Sequence, residues 1–202
     1  MPLIEDAKKI AERVTGVARP GPRQIKKKTI EPRSVLFKES GQTPNNDALP
    51  FLHYKGVILL DERFDPAAVF EVLFVSNGWK DSWRNGIYPF LHFHTKTHEV
   101  LGIAKGHTSV QFAGAEGPVL KLYAGDVVVL PAGTGHERQS ASDDLLVVGA
   151  YPAGGKYNEP KPGDVELPLA HWLISRVPLP KKDPVFGASG PLRKLWLKKG
   201  RR

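Results

Sequence analysis

GIYPFLHFHTKTHEVLGIAKG, residues 86–106, carries the argument for the fold. Within it, His92 and His94 stand two apart. On an extended chain that spacing turns both side chains to one face, together with Tyr88 and Phe90. Glu99 lies five residues beyond His94, an odd offset that puts it on the opposite face of an uninterrupted strand. Thr95-Lys96-Thr97 must therefore turn the chain, so that Glu99, Leu101 and Ile103 return inward from a neighbouring strand while His98 points outward, to the surface or behind the site.

Further along, GDVVVLPAGTGH (125–136) ends an apolar strand in a corner with two glycines and brings His136 into the same region. Positive φ and close backbone approach are open to glycine there. Three imidazoles and one carboxylate converging inside a barrel suit Fe(II), Mn(II), Ni(II), Cu(II) or Zn(II) and leave room for water or substrate. A divalent ion so held keeps about one positive charge, enough to polarise an anionic oxygen ligand. The chain has no cysteine, so thiolate ligands and disulfides are excluded.

The surrounding residues repeat one texture. FLHYKGVILL (51–60), IYPFLHFH (87–94), HEVLGIAKG (98–106), TSVQF (108–112), VLKLY (119–123), DVVVLP (126–131) and LLVVGAY (145–151) are short apolar segments between turn residues. This density of short strands predicts an antiparallel sandwich or barrel. One helix interrupts it: Asp65 as N-cap and Pro66 at the first helical position predict a helix over about 66–74. Apolar residues at three- and four-residue spacings predict another over 4–17. The stretch 18–29, with two prolines and a basic run, reads as a linker or loosely docked arm, and the Pro-rich chain beyond about Tyr157 as irregular wrapping.

The motifs have a familiar form. Gly86-x5-His92-x-His94-x4-Glu99-x6-Gly106 resembles the first cupin motif with every fixed position filled, and Gly125-x5-Pro131-x-Gly133-x2-His136 resembles the second, ending in Ser140 where cupins carry Asn. FKESGQTPNNDALPFLHYKGVI, the block around 82–106 and VPLPKKDPVFGASGPL extend the resemblance over roughly 35–197 to the uncharacterised bacterial cupins of the YjlB type. It implies an all-β, single-domain cupin: a helical arm (1–34), a jelly-roll barrel (35–155) and a C-terminal segment packed on it (156–202). It also implies one metal site and a homodimer, but no defined substrate.

On this reading His92, His94, Glu99 and His136 hold one divalent transition metal ion. No other acid falls at an inward position, so Glu99 doubles as the proton acceptor. Arg138, two residues beyond His136, and Tyr88 and Trp83 before the histidines are candidate substrate contacts; Arg138 suits a bidentate grip on an anion. Trp79 and Arg84 are further candidates for the pocket mouth. His107 reads as a solvated turn residue, and His53 and His171 as packing or surface residues. The expected function is a metal-dependent enzyme, dioxygenase or isomerase in type, acting on a small anionic molecule. The alternative is a non-catalytic ligand-binding or sensing module.

Charge along the chain excludes a simpler idea. The net +8 resides in residues 1–28 (+5) and 176–202 (+8), whereas 29–175 carries −5. Nucleic-acid binding by the body of the protein is therefore not expected, and the basic ends read as solvated. No long apolar run and no apolar leader appear, which leads us to expect a cytoplasmic protein.

Overall fold

The computed structural model describes residues 17–153 and 156–197. The helix expected over 4–17 falls, Val17 aside, outside the described residues, as does the basic end at 198–202.

Eleven strands and three α-helices are described: β1 (Lys26–Lys27), β2 (Arg33–Val35), β3 (Phe51–Tyr54), β4 (Ile58–Leu59), α1 (Pro66–Ser76), β5 (Trp79–Asn85), β6 (Glu99–Lys105), β7 (His107–Phe112), β8 (Val119–Tyr123), β9 (Val127–Leu130), β10 (His136–Ala141), β11 (Leu146–Pro152), α2 (Leu167–Ile174) and α3 (Pro191–Leu197). A six-stranded antiparallel sheet, in the order β2-β3-β9-β6-β11-β5, faces a three-stranded sheet, β10-β7-β8. Phe51, Leu101, Ile103, Val110, Phe112, Leu122, Val128 and Val147 fill the space between them. This is the jelly-roll interior.

The other face of the large sheet is not left to solvent. Alternate residues of the same strands, among them Leu52, Val100, Val129, Val148 and Ala150, pack against Phe70 and Phe74 of α1 and against Val185, Leu192 and Trp196 of the C-terminal segment. Burial on both faces is why β9 reads Val-Val-Val-Leu without alternation. Gly102 follows from the same packing, since a Cβ there would meet the Phe70 ring at 2.2 Å. Helix α1 starts as expected, with the Asp65 carboxylate accepting from the Ala67 N–H at 3.0 Å, and runs two residues further than predicted.

Three expectations need correction. The segment 87–94 is no strand: it is irregular, with a single bridge from His92 to His136. Pro89 and the needs of the site interrupt its alternation. The stretch 18–29 is docked rather than loose. Asp65 N donates to Ala18 O, Ile25 is buried, and β1 pairs with β4. The chain beyond Tyr157 is not wholly irregular, because α2 and α3 form there, each carrying Pro in its first turn. None of the described helices is long and apolar enough to cross a membrane.

Candidate metal centre

Backbone pairing gathers the histidines. His92 and His136 exchange both backbone hydrogen bonds (3.3 and 3.0 Å), and Gly133 N donates to His94 O at 2.7 Å. From the other side, residues 157–160 close on the same loop. Phe93 N donates to Pro160 O, Thr95 N to Asn158 Oδ1, and Asn158 Nδ2 to Thr95 Oγ1. The histidine loop is thus fixed between the β9–β10 corner and the start of the C-terminal segment.

Each of the three rings also has a fixed direction. His92 Nδ1 meets the Phe90 carbonyl, His94 Nδ1 the Asn158 carbonyl and His136 Nδ1 the Thr134 carbonyl. A carbonyl can only accept, so each Nδ1 carries a proton, and each ring, when neutral, presents an Nε2 lone pair. The three rings are buried, and one ligand atom from each lies within 4.8 Å of the others, a spacing that could hold a metal ion. Glu99 Oε2 stands 3.2 Å from His94 Nε2 and 3.4 Å from His136 Nε2. The tightest group is therefore the three imidazoles, with the carboxylate closed against two of them.

Electrostatics favour the neutral donor form at two of the three rings. Burial pushes His92 down and His136 down to about 3, so both stay neutral. Burial acts on His94 in the same direction, but the Glu99 carboxylate and the Asn158 carbonyl outweigh it and hold this ring above the ordinary value. Burial alone would raise Glu99. The three neighbouring imidazoles reverse that and hold it below the usual carboxylate range.

The donors open into a cavity of about 580 Å³. Trp83 and Tyr88, two expected contacts, line it. Strand β5 bulges near Asp81, whose φ is 53°, and this turns the Trp83 indole across Gly149, where a Cβ would come within 2.1 Å of the ring. The indole N–H donates to Tyr151 Oη at 2.8 Å. Arg138 lies elsewhere, in a shallower depression beside Asn85, Tyr88 and Ser142. Arg84 does reach the cavity wall, but its guanidinium is bound to Glu71 and Asp65. Trp79 is buried in the core behind the sheet.

His98 departs from its expected place at the surface. It points away from Glu99, as alternation requires, yet it is fully buried because α3 covers that face. Its Nδ1 accepts from Ala132 N, and its ring lies 4.8 Å from the Trp196 ring. His53 is buried against Asp126, His171 pairs with Glu39 near the surface, and His107 is exposed and stacked on Tyr123.

Sequence reasoning missed Tyr151, Tyr157 and Glu159, all in the cavity wall. Tyr151 was within reach, since it shares the inward alternation of Val147 and Gly149. Glu159 also removes the ground on which Glu99 was assigned a second role, because another acid does face the cavity.

A jelly roll with buried histidines and a glutamate at these motif positions is a cupin. No family model matches the chain. It is 33% identical over 168 residues to the uncharacterised protein YjlB of Bacillus subtilis (strain 168), covering 83% of this chain and 98% of that one, and it belongs to the YjlB family. Among solved structures it is similar to an acireductone dioxygenase from Bacillus anthracis with a cadmium ion in its active centre (20% identity, 52% of this chain and 80% of that one, TM-score 0.37). It is also similar to the oxalate decarboxylase of Bacillus subtilis (18% identity, 59% of this chain, TM-score 0.34), of whose chain it spans 28%.

Proposed function

We propose that His92, His94, His136 and Glu99 hold one divalent transition metal ion (iron, manganese, nickel, copper or zinc) and that the protein is a metal-dependent enzyme of dioxygenase or isomerase type. Its substrate is a small molecule presented to the site as an oxygen anion. The observation that carries this reading is the set of three Nδ1–carbonyl hydrogen bonds, which leaves the Nε2 atoms of three buried, closely grouped rings free to serve as ligands.

A bound ion would supply Lewis acidity or redox chemistry at the head of the cavity. The chain supplies the rest. Trp83, Tyr88, Tyr151 and Tyr157 wall the space and exclude water from a bound molecule, and Tyr88 also bounds the depression that holds Arg138. Arg138 is a candidate for gripping a polar tail that extends past Tyr88. We also propose a cytoplasmic homodimer. Strand β8 is an edge of the small sheet and exposes Val119 and Tyr123, which a second copy would cover.

The test is elemental mass spectrometry on protein purified without tag or chelator, beside His136→Ala. Near-stoichiometric metal that disappears in the variant is the expected result. Wild type that stays empty after reconstitution would leave a metal-free ligand-binding module.

A further inference from the structure

The cavity wall contains one polar group that nothing described so far employs. Glu159 Oε1 is buried and has no hydrogen-bond partner among the described residues. A buried carboxylate oxygen without a donor is costly, and such groups persist where a ligand completes them. The residue is held in place from both sides. The Asn158 carbonyl before it meets His94 Nδ1, and the Pro160 carbonyl after it accepts from Phe93 N. Glu159 is thus carried by the chain segment that orients a proposed ligand of the ion, and it faces the cavity those ligands open into.

The remaining wall narrows what could meet it. Trp83, Tyr88, Tyr151 and Tyr157 present ring surface, with Ile87 and Leu101 between them. Arg84 is the one cation among the described lining residues, and it is committed to Glu71 and Asp65. Asp81, Glu99 and Glu159 are all acids. A carboxylate or phosphate group seated within this wall would meet no free cation beside the ion, since Arg138 stands beyond Tyr88 in the adjoining depression. A flat molecule that offers a hydroxyl proton fits both the rings and the unmet oxygen. Glu99 cannot take this part, because its Oε2 already lies between His94 and His136.

We infer that Glu159 is the proton acceptor of this cavity, and that the substrate enters as a neutral, flat, hydroxyl-bearing molecule, a phenol or an enol. The inference rests on the function proposed above and specifies how the oxygen anion arises. The substrate O–H bond breaks with its electron pair left on the substrate oxygen. The proton goes to Glu159 Oε1, turning the carboxylate into a carboxylic acid, and no oxidant is consumed. Tyr88 stands against the same carboxylate: the Glu159 charge, some burial and a hydrogen bond from the Tyr88 hydroxyl to Glu159 raise its phenol above the ordinary value, so the carboxylate has one protein donor while Oε1 itself has none. Tyr88 therefore keeps its own proton and does not compete as a base.

The experiment is a spectrophotometric titration of zinc-loaded protein with 4-nitrocatechol, whose ionised form absorbs at longer wavelength, beside competition by 4-nitrobenzoate as a carboxylate probe. Zinc content and melting temperature are measured on the same samples. Wild type should bind the catechol in ionised form at a pH where the free probe is protonated, and more tightly than the benzoate. Glu159→Gln should weaken catechol binding by roughly ten- to a hundredfold, the worth of a hydrogen bond to a charged acceptor, with zinc and melting temperature unchanged. Glu159→Asp should recover part of the loss. Zinc retained with catechol binding undiminished in Glu159→Gln, or benzoate bound more tightly, would overturn the inference and leave the metal site standing. Zinc refused, with catechol binding still dependent on Glu159, would overturn the metal site and leave the proton acceptor.

Discussion

Replacing Asp183 with Asn will loosen the C-terminal segment from the sheet it covers. The Asp183 carboxylate is fully buried. It accepts four hydrogen bonds: on Oδ1 from Val185 N (2.8 Å) and Phe186 N (2.9 Å), and on Oδ2 from Tyr54 Oη (2.5 Å) and Leu192 N (3.1 Å). Asn keeps the shape but turns an NH2 group toward two of these four donors. Each lost bond to a charged acceptor costs about 1.5–3 kcal/mol, so the substitution should cost about 3–6 kcal/mol. For a chain of this length that lowers the melting temperature by roughly 6–24 °C. Tyr54→Phe removes one donor and leaves the carboxylate three, so it should cost about half as much. Burial, aided by the Asp183 charge, holds the Tyr54 phenol far above its ordinary value, so its proton stays in the bond at every working pH. Calorimetry and urea titration of both variants measure the effect. An Asp183→Asn protein that melts with wild type, or no lower than Tyr54→Phe, would refute this account of the clamp.

Other consequences follow from the same contacts. His98 and His136 are held neutral down to about pH 3, whereas the unfolded chain protonates both near 6.5. Through these two groups the metal-free protein should lose about 1.4 kcal/mol per unit and per histidine as pH falls from 6.5 toward 3, and urea titrations at pH 7.5 and 5 should show His98→Phe losing less than wild type. Gly149→Ala drives a methyl into the Trp83 ring and should cost about 1–3 kcal/mol, with a shift in tryptophan emission as the indole leaves Tyr151; unchanged emission would count against the placement of Trp83. Asn158→Ala frees the carbonyl that orients His94 and should weaken zinc binding about tenfold or more by competition with a chromophoric chelator.

The parts of the molecule that were legible in its sequence share a physical origin. His92, His94, Glu99 and His136 were readable because spacing constrains which side chains can face one cavity, although 87–94 forms no strand and Phe90, expected on the same face, does not line the cavity. The inward turn of Glu99, Leu101 and Ile103 on β6 follows from alternation alone. Alternation also gave His98 its direction, but direction is not exposure. What lies on the far side depends on α3, nearly a hundred residues later, and no local pattern predicts that docking. Glu159 was hidden for the same reason, since its place is set by hydrogen bonds that the Asn158 and Pro160 carbonyls accept from a loop more than sixty residues earlier. Arg138 shares its strand face with His136, but the bulge beyond it and the bend at 86–89 set it beside a neighbouring depression.

The central claim is that three imidazoles and one carboxylate bind a single ion. Anomalous diffraction from crystals of protein purified without chelator, collected at the absorption edge of the metal found, tests it most directly. The account predicts one peak about 2.0–2.2 Å from Nε2 of His92, His94 and His136 and from a Glu99 oxygen. A map with no peak between these four side chains, from protein whose metal content is stoichiometric, would contradict it.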